Sequence, residues 1–214
     1  GLIMYENKNE AFPYGFSYNS IPPPGDYVGY PIQDRMGWWW HNFIDGYVKK
    51  SKGKTTVFNC PSKQLNKPRL KKNILCGNYG VNLSICKNSD DIPGKKEFVG
   101  PPLGRSDIPQ PSRTLLIVDS GYSIISWWHV TDEPSVSFNS SRGEDTAYVP
   151  GLKINKYKDL MPGQERDAIK GRHPNKTVNI GFADGHAARK KADDLFVEKK
   201  AEIYTNKIPL WAPK

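Results

Sequence analysis

Thr177-Val178-Asn179-Ile180-Gly181-Phe182-Ala183, then Asp184-Gly185, then His186-Ala187-Ala188-Arg189-Lys190, carries the clearest local structural signal in the chain. An apolar run carrying Val178, Ile180 and Phe182 reaches Asp-Gly and then continues in polar residues. That is the signal of a strand that reverses direction. A two-residue type I′ turn is expected, because both of its central positions need positive φ and Asp-Gly supplies them.

Upstream, Thr114–Asp119 (TLLIVD) reads as a buried strand, since it is short, aliphatic and bounded by polar residues. Ile124–Val130 is expected to pair with it as a hairpin across Ser120-Gly121. Tyr79–Ile85 and Thr55–Asn59 are further strand candidates. Trp38–Tyr47 (WWWHNFIDGY) reads as a short helix with its aromatics on the core and its rim. Pro13–Gly37 and Pro93–Pro111 are rich in proline and must be irregular. Pro134–Asp167 is polar and weakly periodic. Downstream, Ala192–Tyr204 is expected to be a helix closing on Trp211. At the other end, Leu2–Asn9 reads as the last turns of a helix. A helix this short is marginal alone, so it is expected to be the end of a longer one. Residues 1–214 are expected to form one domain.

Composition narrows the function classes. The chain has 19 Gly and 18 Pro but also six Trp and eleven Tyr, so it is loop-rich yet folded. The longest aliphatic run is Leu115-Leu116-Ile117-Val118, far short of the ~20 apolar residues of a membrane-spanning helix. The net charge of +9 is local. Nine basic residues and no acid lie between Lys49 and Lys72, and the rest of the chain balances. Lysine dominates there, no aromatic pair is interleaved to stack bases, and no nucleic-acid motif is present. A solvated lysine-rich loop is the plainer reading, and no nucleic-acid partner is expected.

Cys60, Cys76 and Cys86 include no CxxC pair and no histidine at zinc-ligand spacing. The segment between Cys76 and Cys86 looks extended after its first turn. A strand of that length separates its ends by up to ~30 Å, whereas a disulfide needs Cα atoms within ~7 Å. The expected disulfide is therefore Cys60–Cys76, with Cys86 reduced. His173, Asp184 and His186 come close together if the chain folds back at Asp184-Gly185. With Asp119 at the end of a strand, they suggest a metal hydrolase of the His/Asp type. No HExxH, Gly-x-Ser-x-Gly or Gly-rich phosphate loop accompanies them, and Asp184 is explained by its turn. No catalytic residue and no metal ligand is assigned. His173 is expected to pin the hairpin tip at Asp184-Gly185.

Five elements in order carry a resemblance. They are Gly1–Asn9 with Pro13 following, Phe58-Asn59-Cys60-Pro61-Ser62, Tyr79-Gly80-Val81-Asn82, Ser112-Arg113-Thr114 through Asp119, and His173 through Asp184-Gly185. Together they resemble prepilin- and pseudopilin-like proteins with a prepilin-type processing-associated H-X9-DG domain. Here ten residues, not nine, separate His173 from Asp184, which places one extra residue in the Pro174–Lys176 turn. The resemblance implies a parent chain with a short basic leader, cut and methylated by a prepilin peptidase, and a hydrophobic anchor helix running into Leu2–Asn9. It implies an α+β, pilin-like fold, a helix packed on an antiparallel sheet with large loop insertions. It implies a non-enzymatic subunit of a type II secretion-like or type IV-like filament, anchored in the inner membrane, with this domain in the periplasm or at the cell surface. Its partners would be other pilin-like subunits or secretion-system proteins. Calcium is a possible cofactor by the same analogy, with no ligands assigned. The alternatives are a carbohydrate- or polymer-binding surface module, using Trp38–Trp40 or Trp127-Trp128 beside Lys49–Lys72, and a metal-dependent hydrolase.

Overall fold

The computed structural model describes residues 1–18, 37–48, 57–89, 96–132, 147–200, 203–205 and 207–212. Helix α1 (Leu2–Asn9) is followed by β1 (Phe16–Tyr18), β2 (Gly37–Trp39), α2 (Trp40–Ile44) and α3 (Pro68–Lys72). Then come β3 (Tyr79–Asn82), β4 (Leu115–Asp119), β5 (Ile124–Ile125), β6 (Thr177–Phe182), β7 (Ala187–Lys191), β8 (Glu198–Lys200) and β9 (Ile203–Thr205). Short 3-10 turns punctuate the connections. The architecture is α+β. Its main sheet has the order β5-β3-β4-β6-β7, antiparallel throughout except for the parallel β3–β5 pair.

The apolar pattern explains why β4 is central. Leu115, Leu116 and Val118 are all buried, as a strand covered on both faces requires. Its register with β6 slips between Leu115 and Ile117. The bulge sends Leu116 and Ile117 to one core and Leu115 and Val118 to the other. The first core holds Leu2, Trp39, Trp40, Leu75 and Val81. The second holds Val149, Leu152, Val178, Ile180, Leu195 and Trp211. The sheet is thus a partition between the N-terminal and C-terminal loop layers.

The β6–β7 hairpin forms where the sequence placed it, but with another turn. Only Gly185 takes positive φ (99°), and Asp184 does not. The Gly185 N–H bonds Phe182 O, and the Phe182 N–H bonds His186 O. This is a three-residue loop, a type I turn closed by a glycine bulge, in which Asp184 needs no left-handed backbone. A Cβ on Gly185 would also stand 3.1 Å from Ile3 of α1. Gly185→Val is expected to cost about 1–2 kcal/mol, read by chemical denaturation. The Pro174–Lys176 turn places both Asn175 (φ 57°) and Lys176 (φ 53°) in the left-handed region.

Four expectations are corrected. Ile124-Ile125 joins the far edge of β3 and not β4, because β3 and β6 already occupy both edges of β4; Trp127–Val130 is a 3-10 turn. Val57–Asn59 is a turn, while Thr55 and Thr56 lie outside the described residues. Trp38 and Trp39 are strand, paired with Ser17 and Phe16, and the helix begins only at Trp40. Ala192–Tyr204 is not a helix: Ala192–Leu195 is one 3-10 turn, and β8 and β9 form a hairpin. Leu195 and Val197 are buried two residues apart, an extended spacing rather than a helical one. Trp211 does close the chain, fully buried, with its indole N–H donating to Leu195 O.

Candidate functional site

At the C-terminal end of β4, chain segments far apart in sequence meet around Asp119. Tyr79 of β3 is its cross-strand neighbour. On its other side lies β6, where Asn179 gives Asp119 Oδ2 two hydrogen bonds, from its backbone N–H at 2.7 Å and its side-chain amide at 3.2 Å. His173, just before the left-handed turn into β6, places Nε2 3.2 Å from the same oxygen. Asp119 Oδ1 is buried and has no hydrogen-bond partner.

Arg172 runs beneath this group with a side chain that is wholly buried. Its Nε and Nη2 grip Asp167 at 3.1 and 2.8 Å. Nη1 donates to Asn78 O at 2.7 Å, Nη2 also donates to Ser120 O at 2.8 Å, and Asp119 Oδ1 is 4.0 Å from Nη1. Asp167 further accepts from the Tyr148 hydroxyl at 3.0 Å and from the Gln64 backbone N–H at 2.8 Å. Burial works against the Arg172 charge, but Asp167, then Tyr148 and Asp119, outweigh it and hold its pKa above the ordinary value. Burial first, and Asp167 second, push the Tyr148 phenol well up, so it stays a donor. Burial, with Cys60 and Asp119 beside it, pushes Tyr79 up to about 12.

The cysteine segment completes the cluster. The Cys60 N–H donates to Asn78 Oδ1 at 2.9 Å, and the Asn78 amide donates to the carbonyls of Ile74 and Cys76. Lys63 points its amine at Cys76 O (3.5 Å), and burial lowers its pKa. One potential ligand atom each from Cys60, Asp119 and His173 lies within 4.8 Å of the other two. All three cysteines are buried as thiols outside any disulfide. The Cys60–Cys76 bond is thus not present, and the two loops are joined instead through the Asn78 side chain.

Several residues singled out by sequence therefore converge. Cys60, Tyr79, Asp119 and His173 share one site; Asn82, Pro61, Asp184 and Gly185 do not. Asn82 is fully buried on β3 and donates to Leu115 O (2.8 Å) and Trp211 O (2.7 Å), tying the C-terminal segment to the central strand. Gly80 beside it has no room for a side chain, since a Cβ would stand 2.6 Å from Tyr122 O. Pro61 is exposed in a turn. Asp184 binds His186 Nδ1 at 2.6 Å on the surface, so His173 does not pin the hairpin tip; it pins the strand end at Asp119. Arg172, Asp167 and Tyr148 were not singled out. The one available signal was that Arg172 adjoins His173, and nothing in charge or spacing marks Asp167 or Tyr148 as its partners.

An apolar groove of about 330 Å³ lies beside this site, between the first residues of α1 and the sheet, lined by Leu2, Trp40, Ile44, Phe58, Ile117 and Ile180. Of the tryptophans considered for sugar stacking, Trp39 and Trp40 are buried. Trp127 and Trp128 are half-buried and pack on Tyr204. Compared with protein-family models, curated proteins and solved structures, the chain matches none.

Proposed function

We propose that this chain is the globular domain of a pilin- or pseudopilin-like subunit, a non-enzymatic building block of a type II secretion-like or type IV-like filament. One observation carries the reading. Of the residues that carry the resemblance, Cys60 and Asp119 are buried, His173 meets the Asp119 carboxylate, Tyr79 pairs with Asp119 across the sheet, and the Cys60 N–H is held by Asn78, so together they fasten loops to a sheet. Asp119 and Arg172 have no exposed side-chain surface, which suits a scaffold better than an active site open to substrate. The α+β architecture and a short helix whose first turn borders an apolar groove of the sheet accord with the same reading.

In this reading the parent protein is anchored by an apolar helix preceding Leu2, and anchor helices make most of the contact between subunits. No helix among the described residues is long and apolar enough to cross a membrane. Residues 1–214 alone, carrying a net charge of +9, are then expected to be monomeric at modest salt, since like-charged copies repel. The full-length processed protein is expected in the membrane or filament pellet after sedimentation. Its recovery entirely as a soluble monomer would overturn the proposal.

A further inference from the structure

We propose that the Cys60 thiolate, the Asp119 carboxylate and the His173 imidazole form a structural site for one divalent transition metal of zinc-like softness. This goes beyond the filament reading and does not depend on it. Sulfur, nitrogen and oxygen donors in one cluster suit a borderline-soft ion. Ligand bonds of about 2.0–2.3 Å in a tetrahedral site place the donor atoms roughly 3.3–3.8 Å apart. The three donors here lie within 4.8 Å of one another, so about an ångström of side-chain movement closes them on one ion.

Two features of the site ask for a cation. First, Asp119 Oδ1 is buried without a hydrogen-bond partner, a costly state for a carboxylate oxygen, and Arg172 Nη1 stands 4.0 Å from it while Asp167 takes the closer guanidinium contacts. Second, the protons around His173 conflict. Its Nε2 lies 3.2 Å from Asp119 Oδ2 and 3.1 Å from Asn179 Nδ2, while that amide is itself 3.2 Å from Asp119 Oδ2. A proton on Nε2 satisfies Asp119 but faces the amide donor. A lone pair there accepts from the amide but faces the carboxylate. Turning the amide over sets its oxygen against Asp119. A metal on the Nε2 lone pair removes the conflict and leaves both Asn179 donors on Asp119.

Cys60 and Asp119 are buried and His173 is nearly so, which leaves a structural role: the ion fastens the Cys60 loop to the strand end. Binding releases the Cys60 thiol proton to solvent.

The test uses the full-length protein, reduced and freed of metal, titrated with Co2+ and followed by visible absorption. One equivalent is expected to bind, with a thiolate-to-cobalt charge-transfer band and tetrahedral d–d bands that Zn2+ displaces. Cys60→Ser is expected to abolish the sulfur band and weaken binding at least about a hundredfold, while Cys86→Ser keeps both. Should Cys60→Ser fail to fold, the wild-type titration still decides. Absence of stoichiometric uptake by the wild type, an unchanged sulfur band in folded Cys60→Ser, or Cys60 found bonded to Cys76 in protein isolated from its own compartment would each overturn the proposal.

Discussion

Lowering the pH from 6.5 to 4.5 is expected to remove roughly 4–6 kcal/mol of folding stability, through two buried histidines. His41 is buried against the rings of Trp40 and Phe58, and burial lowers its pKa to about 3. His129 is buried in the 3-10 turn after β5. Its Nδ1 accepts the Ser126 N–H at 3.0 Å. Burial, then the nearby Lys158 ammonium, lowers its pKa to about 3, against the opposing effect of the Ser126 carbonyl, 3.3 Å from Nδ1, which favours a proton there. In the unfolded chain both titrate near 6.5. Between those values the unfolded chain binds more protons, so the histidines' contribution is complete above about pH 6.5 and is lost as the pH drops toward 3. Each histidine contributes up to about 1.4 kcal/mol per pH unit. The loss in this window is of the order of a typical domain's whole stability of ~5–15 kcal/mol. Urea denaturation at several pH values reads the slope, and His129→Asn is expected to remove about half of it while keeping an acceptor for Ser126. A stability that stays flat between pH 6.5 and 4.5 would contradict this account.

Arg172→Met is expected to cost about 3–5 kcal/mol, because it strands two buried carboxylates and the carbonyls of Asn78 and Ser120. For a chain of this size the melting temperature should fall by roughly 6–20 °C. Arg172→Lys is not expected to rescue it, since an ammonium cannot reproduce the fork that holds Asp167 while reaching both carbonyls. Adding Asp167→Asn to Arg172→Met should recover part of the loss, because the buried charges are then better balanced. A single Arg172→Met variant within about 1 kcal/mol of wild type would show that the network does not hold the loops to the sheet.

How far the sequence carried depended on the range of the interaction behind each element. The β6–β7 hairpin was legible because alternation at Val178, Ile180 and Phe182 and a glycine at the turn are local signals. Strand β4 was legible from its aliphatic run. The partner of Ile124-Ile125 was not, since it depended on which edges of β4 were already filled. Trp38 and Trp39 became strand through pairing with Phe16 and Ser17, a contact across more than twenty residues. The Ala192–Tyr204 helix failed for the same reason: Val197 is held extended by a bond from its N–H to Val130 O. Half of the site was visible as motif residues, namely Cys60, Tyr79, Asp119 and His173. The other half, Arg172 with Asp167 and Tyr148, is defined by burial, which no local pattern in this loop-rich chain encodes. The motif also misled once, since His173 lies before β6 and meets Asp119, while Asp184 at the hairpin tip binds His186.

The filament reading stands or falls most directly on the N-terminus of the mature, full-length protein. Intact-mass and terminal-peptide mass spectrometry of protein extracted from the producing cell's envelope gives it. The expected start is just after a removed short basic leader, followed by about 20 apolar residues running into Leu2–Asn9. A mature chain whose Leu2–Asn9 helix is preceded by no such apolar segment would contradict it.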